Sequence, residues 1–426
     1  MSKRAIVISS TFNQMINFIP IIEMCKDSDD NFDKEKIKNL TIYNLSEAEE
    51  KEETSDKFLF SRFDNGMWDS NLKKVLKEVL VNGDMENIKI EDKSIESIKG
   101  NIIVRIENED YQEVVFNITG GQRNSVLAMM QAGKELKESI DDVKLMYLEG
   151  NKAKKHIIAI DDFFNGGDCE EVKNYSLPEG FNIENALNLM GYTVKDSSTE
   201  NLLGEENKYK SYLKIIDDKD KEFIYKLTKL NKNKVTDEEE KEIKNIKEEL
   251  RNLVTKDIEG DFNQSNPFGY ILEKIVIAKL VEEIKGDAKL EEQIIDLRHN
   301  VNTYDNHHIE KAYNSCSFEH DICLLTNSGQ VIALECKSGT ASSDTLKARK
   351  YTAYTIGGAY AVPVLITPFF KEDIDDLTQD NLKEYENIKR TLRGAFRARL
   401  EIWGLDELNK KDAKSKLKEL LKKQSL

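Results

Sequence analysis

The sequence predicts an α/β protein. A Rossmann-like N-terminal domain comes first, a C-terminal α/β domain built on a charged hairpin comes last, and a charged helical insertion lies between them. Three observations predict this. Short apolar strand patterns alternate with helix patterns through residues 1–165, as in mostly parallel sheets. The stretch EHDICLLTNSGQVIALECKSG, Glu319 to Gly339, has two strand-forming runs around a turn, with acids and a lysine where a core would be. Residues 200–256 are dense in Lys and Glu, with apolar residues at helical spacing. The expected domains are 1–165, then 166–260 as connector and insertion, then 261–426.

Composition sets the bounds. The chain has 426 residues, enough for two or three domains, and 39% are hydrophobic, enough for packed cores. Asp plus Glu number 79 and Lys plus Arg 63, a net charge of −16. That argues against indiscriminate coating of a duplex, but nucleic-acid binding follows local charge and stays open. Five scattered cysteines without framework spacing indicate a reducing, cytoplasmic location. The opening MSKRAIVISS has too brief an apolar run for a signal peptide, and no stretch approaches a membrane span, so no membrane association is expected.

Taken in order, Arg4 to Ser9 is a buried-strand pattern, followed by the hydroxyl turn Ser9-Ser10-Thr11 and the apolar helix pattern FNQMINFIPIIEM. Leu40 to Leu45 is a second strand. A helix follows around Asn71 to Val81, and strand patterns recur at Ile88 to Ile90 and Ile102 to Ile106. Glu113 to Ile118 is a further strand, running into Thr119-Gly120-Gly121-Gln122-Arg123-Asn124 and a helix from Ser125 to Leu136. Val143 to Leu148 and His156 to Ile160 close the series. Gly120 and Gly121 let backbone N–H groups approach a phosphate at a helix N-terminus, and Ser9, Ser10 and Thr11 offer hydroxyls on the same strand-end edge. A tight turn with a helix cap explains the TGG run equally well. Neither GxGxxG nor a Walker loop is present, which excludes those two nucleotide fingerprints.

The combination SST-x2-Q-x2-N-x2-P (Ser9, Ser10, Thr11, Gln14, Asn17, Pro20) with TGGQR resembles the CRISPR-associated Rossmann fold, the CARF domain. The resemblance implies a sensor of cyclic oligoadenylates. Ser9, Ser10 and Thr11 match its first ligand loop and Thr119, Gly120, Gly121 and Gln122 its second, with Gln14 and Arg123 in the same candidate ligand set. The family often has Lys at the position of Arg123. Arg also binds phosphate, so this departure bears on ring size more than on ligand class.

Asp168 to Gly180 is polar and reads as a connector, and Asn182 to Met190 as a short helix. In the insertion one amphipathic pattern runs through Tyr209, Tyr212, Leu213, Ile216, Phe223, Leu227 and Leu230, another through Ile243, Ile246, Leu250 and Leu253. Thr236 and Glu239 form a capping-box signature before the second. A helical hairpin is expected, with no readable function.

Gly269 to Ile284 is an apolar helix carrying Glu273, and Ile294 to Val301 is a strand. In the hairpin that follows, the loop Asn327-Ser328-Gly329, with Gly in the left-handed position, fixes the register. Thr326 then faces Gln330, and Asp321 falls opposite Glu335, ~5 Å away on one face, with Lys337 two residues on. Opposed carboxylates repel, and a divalent cation removes the repulsion. Mg²⁺ takes one or two protein carboxylates and keeps several waters. The candidate ligands for Mg²⁺ or Mn²⁺ are Asp321, Glu335 and the carbonyl of Cys336. Lys337 is placed to hold an attacking water or to neutralise charge on a phosphate. Glu273 either faces this site or is an ordinary exposed glutamate.

Beyond the hairpin, Ser343-Asp344-Thr345 starts a helix carrying Lys347, and Tyr360 to Thr367 is an apolar strand. The tail reads as helical, with Lys389, Arg390, Arg393, Arg397 and Arg399 as a basic run facing a phosphate backbone or solvent, and a second run from Lys410 to Lys423. Cys316-x3-His320-x2-Cys323, with His307 and His308 upstream, has zinc-ligand residue types, but strand alternation points His320 away from Cys323 and argues against zinc.

The pattern Asp-x13-Glu-x-Lys, with a helix before it and a helix and strand after it, resembles the PD-(D/E)xK restriction-endonuclease-like nucleases. Together the two resemblances imply a type III CRISPR ancillary effector. In it, cyclic tetra-adenylate binds a homodimer of the N-terminal domain and activates metal-dependent cleavage of DNA or RNA. Two other readings fit the sequence: a constitutive restriction- or repair-type nuclease, and a ligand-gated regulator that binds nucleic acid without cleaving it.

Overall fold

The computed structural model describes residues 3–27, 29, 31–46, 65–80, 85–152, 155–165, 170–195, 200–232, 235–254, 258–305, 318–339, 343–357, 361, 363–369, 391–409 and 412–423. The chain divides into two compact units, Met1–Lys195 with Thr303–Ser317, and Asp196–Asn302 with Phe318–Leu426. Each is an α/β unit, as the sequence predicts.

The first unit holds β1 (Arg4–Ser9), β2 (Leu40–Ser46), β3 (Met85–Lys89), β4 (Glu113–Asn117), β5 (Asp142–Lys152), β6 (Lys155–Asp161) and β7 (Glu170–Asn174). Their order is β3-β2-β1-β4-β5-β6-β7. The five strands β3 to β5 in that row are parallel, and β6 and β7 add antiparallel. Central β1 is buried from Ala5 to Ser9 whichever face each residue projects from, so it reads as a continuous apolar run. Ala5, Val7, Leu45 and Phe116 of the sheet pack with Ile98, Ile102, Met129 and Leu136 of the helices Ile95–Glu107 and Arg123–Leu136.

Two expectations here are corrected. Ile102 to Ile106 is helix, not strand. Ser94 caps it by accepting from the Ser97 N–H, and its buried residues Ile98, Ile102, Ile103 and Ile106 follow the helical period while Val104 is 61% exposed. The β-branched run suggested a strand, but the period decides. The polar stretch Asp168 to Gly180, read as a connector, contributes edge strand β7. The short helix Ile183–Leu189 forms as expected, closed by reciprocal Asn182–Asn185 capping. After it, β8 (Tyr192–Val194) pairs with Thr303–Asp305, the end of the long strand β9 (Ile294–Asp305).

In the second unit β9 is followed by β10 (Phe318–Thr326), β11 (Val331–Cys336), β12 (Val364–Thr367) and β13 (Glu401–Gly404), in the order β13-β12-β11-β10-β9. β10 and β11 are antiparallel, and β12 and β13 continue parallel to β11. The helix Pro267–Lys285 starts on Asn266, whose side chain accepts from the Gly269 N–H, with Pro267 in the first turn. It is apolar nearly all round because it runs through the core. The insertion is not a simple helical hairpin. Short helices Leu213–Asp218 and Lys221–Lys226, flanked by 3₁₀ turns, precede the long helix Asp237–Leu253. That long helix starts on the Thr236–Glu239 capping box the sequence signals. The tail is not wholly helical either, since Glu401–Gly404 joins the sheet as β13 before the helices Leu405–Asn409 and Asp412–Lys423. Four residues are too few for a period to declare itself.

Candidate functional site

The first candidate site lies at the carboxyl ends of β1 and β4. These strands are adjacent, while the chain runs outward from them in opposite directions, to β2 and β3 on one side and to β5 on the other. Such a switch point is where open α/β sheets leave a crevice for ligands. Asn117, the last residue of β4, organises the crevice. Its amide N–H donates to the Ile16 carbonyl and to Asn17 Oδ1 at 3.1 and 2.9 Å. Its Oδ1 accepts from the Thr119 hydroxyl at 2.6 Å. Gly121 has φ +101°, and a Cβ there would stand 2.4 Å from Ser9 Oγ, so only glycine lets the two loops meet.

Of the sequence-predicted residues, Ser9, Ser10, Thr11, Gly121 and Gln122 line one cleft of about 280 Å³, with Ser125 of the following helix. Arg123 is exposed in the first position of that helix. Gln14 is fully buried instead, its Oε1 accepting from Asn17 at 2.9 Å. The Thr119 hydroxyl is used internally, accepting from the Leu148 N–H at 2.8 Å. Gly120 packs against Ile16 beneath the loop. The sequence reading missed Asp69, which is buried and accepts from the hydroxyls of Ser10 (2.6 Å) and Ser46 (2.7 Å), fixing the first loop. It also missed Asn117, whose signal was a polar residue closing an otherwise apolar strand.

The second candidate site is the β10–β11 hairpin. Gly329 has φ +86° and donates to the Thr326 carbonyl at 2.9 Å, and the Thr326 N–H donates to Gln330 at 2.9 Å. Ile322 pairs with Leu334 and Leu325 with Val331, so the register is the one counted from the loop. One step further puts Asp321 against Glu335. The Asp321 carboxylate accepts from the Cys336 N–H at 2.7 Å. Glu335 Oε1 meets Lys337 Nζ at 2.5 Å and Arg349 Nε at 2.9 Å. Arg349 also donates to the Glu319 carbonyl at 2.9 Å, tying the helix Ser343–Gly357 to β10. Lys347, the cation singled out on that helix, is exposed. Arg349 is the one the fold brings to Glu335, and no spacing in the sequence signals it.

Burial raises the pKa of Asp321 and Glu335, and neighbouring carboxylates raise both further. Burial would lower Lys337, but Glu335 and Asp321 outweigh it and hold the ammonium charged. Glu273 is part-buried rather than surface-exposed, and hydrogen-bonds His299 of β9 at 2.8 Å. Burial, and then Glu335, push Glu273 up to about 8, while burial pulls His299 down to about 4. Both shifts favour the neutral form of each partner.

Among the described residues no group of three or more His, Cys, Asp or Glu gathers to hold a metal ion. Two carboxylates of raised pKa, Glu335 buried and Asp321 part-buried, beside the Cys336 backbone do fit Mg²⁺ or Mn²⁺, which need few protein ligands. Cys316, His307 and His308 lie outside the described residues, as do Lys389 and Arg390 of the basic run.

No protein-family model matches the chain, and no curated protein matches it in sequence. Solved structures do match. Protein VC1899 from Vibrio cholerae is 15% identical, with 99% of each chain covered and a TM-score of 0.63. Can2 from Sulfobacillus thermosulfidooxidans, solved in complex with cyclic tetra-adenylate, is 13% identical, with 99% of each chain covered and a TM-score of 0.55. At that identity the likeness is one of fold. No helix among the described residues is long and apolar enough to cross a membrane.

Proposed function

We propose that this chain is a cyclic oligoadenylate-sensing effector of type III CRISPR defence: a CARF domain fused to a PD-(D/E)xK nuclease, activated by cyclic tetra-adenylate to cleave DNA or RNA. The observation that carries this is the register-matched pair Asp321 and Glu335 with Lys337 beside them. It sits in a chain whose fold resembles that of a protein solved with cyclic tetra-adenylate. The boundaries proposed for sensor, insertion and nuclease are 1–165, 166–260 and 261–426.

Asp321, Glu335 and the Cys336 carbonyl would hold Mg²⁺ or Mn²⁺, which supplies Lewis-acid stabilisation of the phosphoryl oxygens and a water of lowered pKa. Lys337 and Arg349 keep positive charge at the point where a substrate phosphate would gain negative charge. The raised pKa of Glu273, beside His299, favours its protonated form, which would withhold a third carboxylate charge from the site. In the first unit, Ser9, Thr11, Gly121 and Gln122 line the cleft, and the Ser9 and Thr11 hydroxyls with the N–H groups of the Gly121 loop would suit phosphate oxygens, while the Ser10 hydroxyl is given to Asp69. A ring of four nucleotides has near two-fold symmetry, which a homodimer through residues 1–165 matches by presenting the same cleft twice.

The test is cleavage of labelled single-stranded RNA, single-stranded DNA and supercoiled plasmid in Mg²⁺ and Mn²⁺, with and without cyclic tri-, tetra- and hexa-adenylate. Cleavage stimulated by the tetra-adenylate ring is expected. Cleavage indifferent to every ring would mark a constitutive nuclease, and inertness under all conditions a binding regulator.

A further inference from the structure

Resting on the nuclease reading above, we propose that the helices Ser343–Gly357 and 391–398 form an anchoring surface for an unpaired nucleic-acid strand, outside the groups that carry the chemistry. Tyr351, Tyr354 and Phe396 take the bases, and Lys350, Arg393 and Arg397 the backbone. The two helices lie on one face of the second sheet, because Leu346 of the first and Ala395 and Ala398 of the second share a buried cluster with Leu365 of β12. Their charge is one-sided. Leu346 to Gly357 and Thr391 to Leu400 carry Lys347, Arg349, Lys350, Arg393, Arg397 and Arg399 and no Asp or Glu, in a chain of net charge −16. Among the described residues of the second unit, the exposed aromatics are Tyr351 (57%), Tyr354 (39%) and Phe396 (83%), all on these same two helices. Single exposed apolar residues are ordinary, but three that coincide with acid-free cationic segments are a pattern.

Position and chemistry choose the occupant. Arg349 of the first helix meets Glu335 at 2.9 Å. Tyr351 and Tyr354 rise only ~3 and ~7.5 Å beyond Arg349 along the axis. A strand whose phosphate meets Arg349 therefore has its neighbouring bases within reach of both tyrosines. Tyr351 stands edge-on to Phe318 at the start of β10, with ring centroids 6.5 Å apart, and Lys350 Nζ lies 5.7 Å from the Tyr354 centroid. Aromatic faces stack on any unpaired base while cations track the phosphates, a mode indifferent to sequence. A duplex keeps its base faces inside the stack and offers these rings nothing to stack on. Tyrosine and arginine also anchor protein partners, but acid-free cations continuous with Arg349 favour a polyanion.

The test measures binding to the full chain in the Glu335→Ala background, so that affinity is read without cleavage. The probes are labelled single-stranded DNA and RNA oligonucleotides and a duplex of the same sequence, in Mg²⁺, with and without cyclic tetra-adenylate. Tyr351→Ala and Phe396→Ala should each weaken single-strand binding about tenfold, the loss of one base–aromatic contact, and leave duplex binding unchanged. Tyr351→Phe should bind as the background does. Arg393→Ala should lower the slope of log affinity against log salt by ~0.7 for the single strand, the loss of one phosphate contact. With Glu335 intact, Tyr351→Ala should raise KM and leave kcat unchanged. A background protein that binds no strand would overturn the surface, as would unchanged single-strand affinity in either alanine variant. An equal loss on duplex, or a loss that tracks dissociation of the protein in sedimentation, would overturn it too, the latter marking a contact between proteins. A strand held through these residues by a wild-type chain that cleaves nothing would instead overturn the nuclease reading and leave the surface standing.

Discussion

Replacing Asp321 or Glu335 by Ala should cut cleavage at least ~10²-fold, the order of a lost electrostatic catalytic group. Ring binding should be untouched, because these residues and the ring cleft belong to different units. Near-wild-type turnover in either variant would refute the assignment. Lys337→Ala should lower the maximal rate more than it lowers metal affinity, because an ammonium is no ligand for a cation. Full rescue by raised Mg²⁺ would contradict its role. Glu273 gives a pH signature. Its folded pKa is raised, from 4.5 to about 8, so the folded state holds its proton more tightly than the unfolded chain. Its contribution to stability is then full below the unfolded value and is lost as pH rises through the folded one. His299 works the other way, from 6.5 down to about 4, so its own effect fades as pH rises past 6.5 and is the same baseline in both proteins. Thermal melts from pH 6.5 to 8 should therefore fall less steeply for Glu273→Gln than for wild type, and parallel curves would show that Glu273 is already ionised.

At the scale of elements, the two loops of the proposed ring cleft depend on Gly121. Gly121→Glu places a side chain where a Cβ already meets Ser9, in a backbone conformation that disfavours it, and adds like charge against a phosphate. That variant should lose ring-stimulated cleavage and keep whatever cleavage occurs without the ring. The hairpin was legible because one loop with a left-handed glycine sets the whole register, and a short-range rule reached Asp321 and Glu335, fourteen positions apart. The strands β1, β2 and β4 were legible for a similar reason, each being a compact apolar run between turn signals. Ile102 to Ile106 was misread because β-branched residues favour strands locally while packing against the sheet favours the helix. Arg349, His299 and Asp69 were not legible at all. Each becomes part of a site only when separate elements pack together, and no spacing along the chain encodes that.

For the whole molecule, the account requires a coupling between units rather than a shared site. A ring can shift an equilibrium only by binding one state more tightly, and moving it from 1:99 to 99:1 takes ~5.5 kcal/mol of differential affinity. Anionic phosphates meeting hydroxyls and N–H groups on two copies are a source of that order. Calorimetry should therefore give one cyclic tetra-adenylate per two chains. One ring per chain, or a monomer in sedimentation with ring present, would remove the dimer from the account. The most direct measurement of the central claim is a three-protein comparison of cleavage and ring binding: wild type, Gly121→Glu and Glu335→Ala, in Mg²⁺, with and without cyclic tetra-adenylate. The account predicts ring-stimulated cleavage in wild type, no stimulation in Gly121→Glu, and ring binding without cleavage in Glu335→Ala. Stimulation in Gly121→Glu equal to wild type, or cleavage by Glu335→Ala at the wild-type rate, would contradict it.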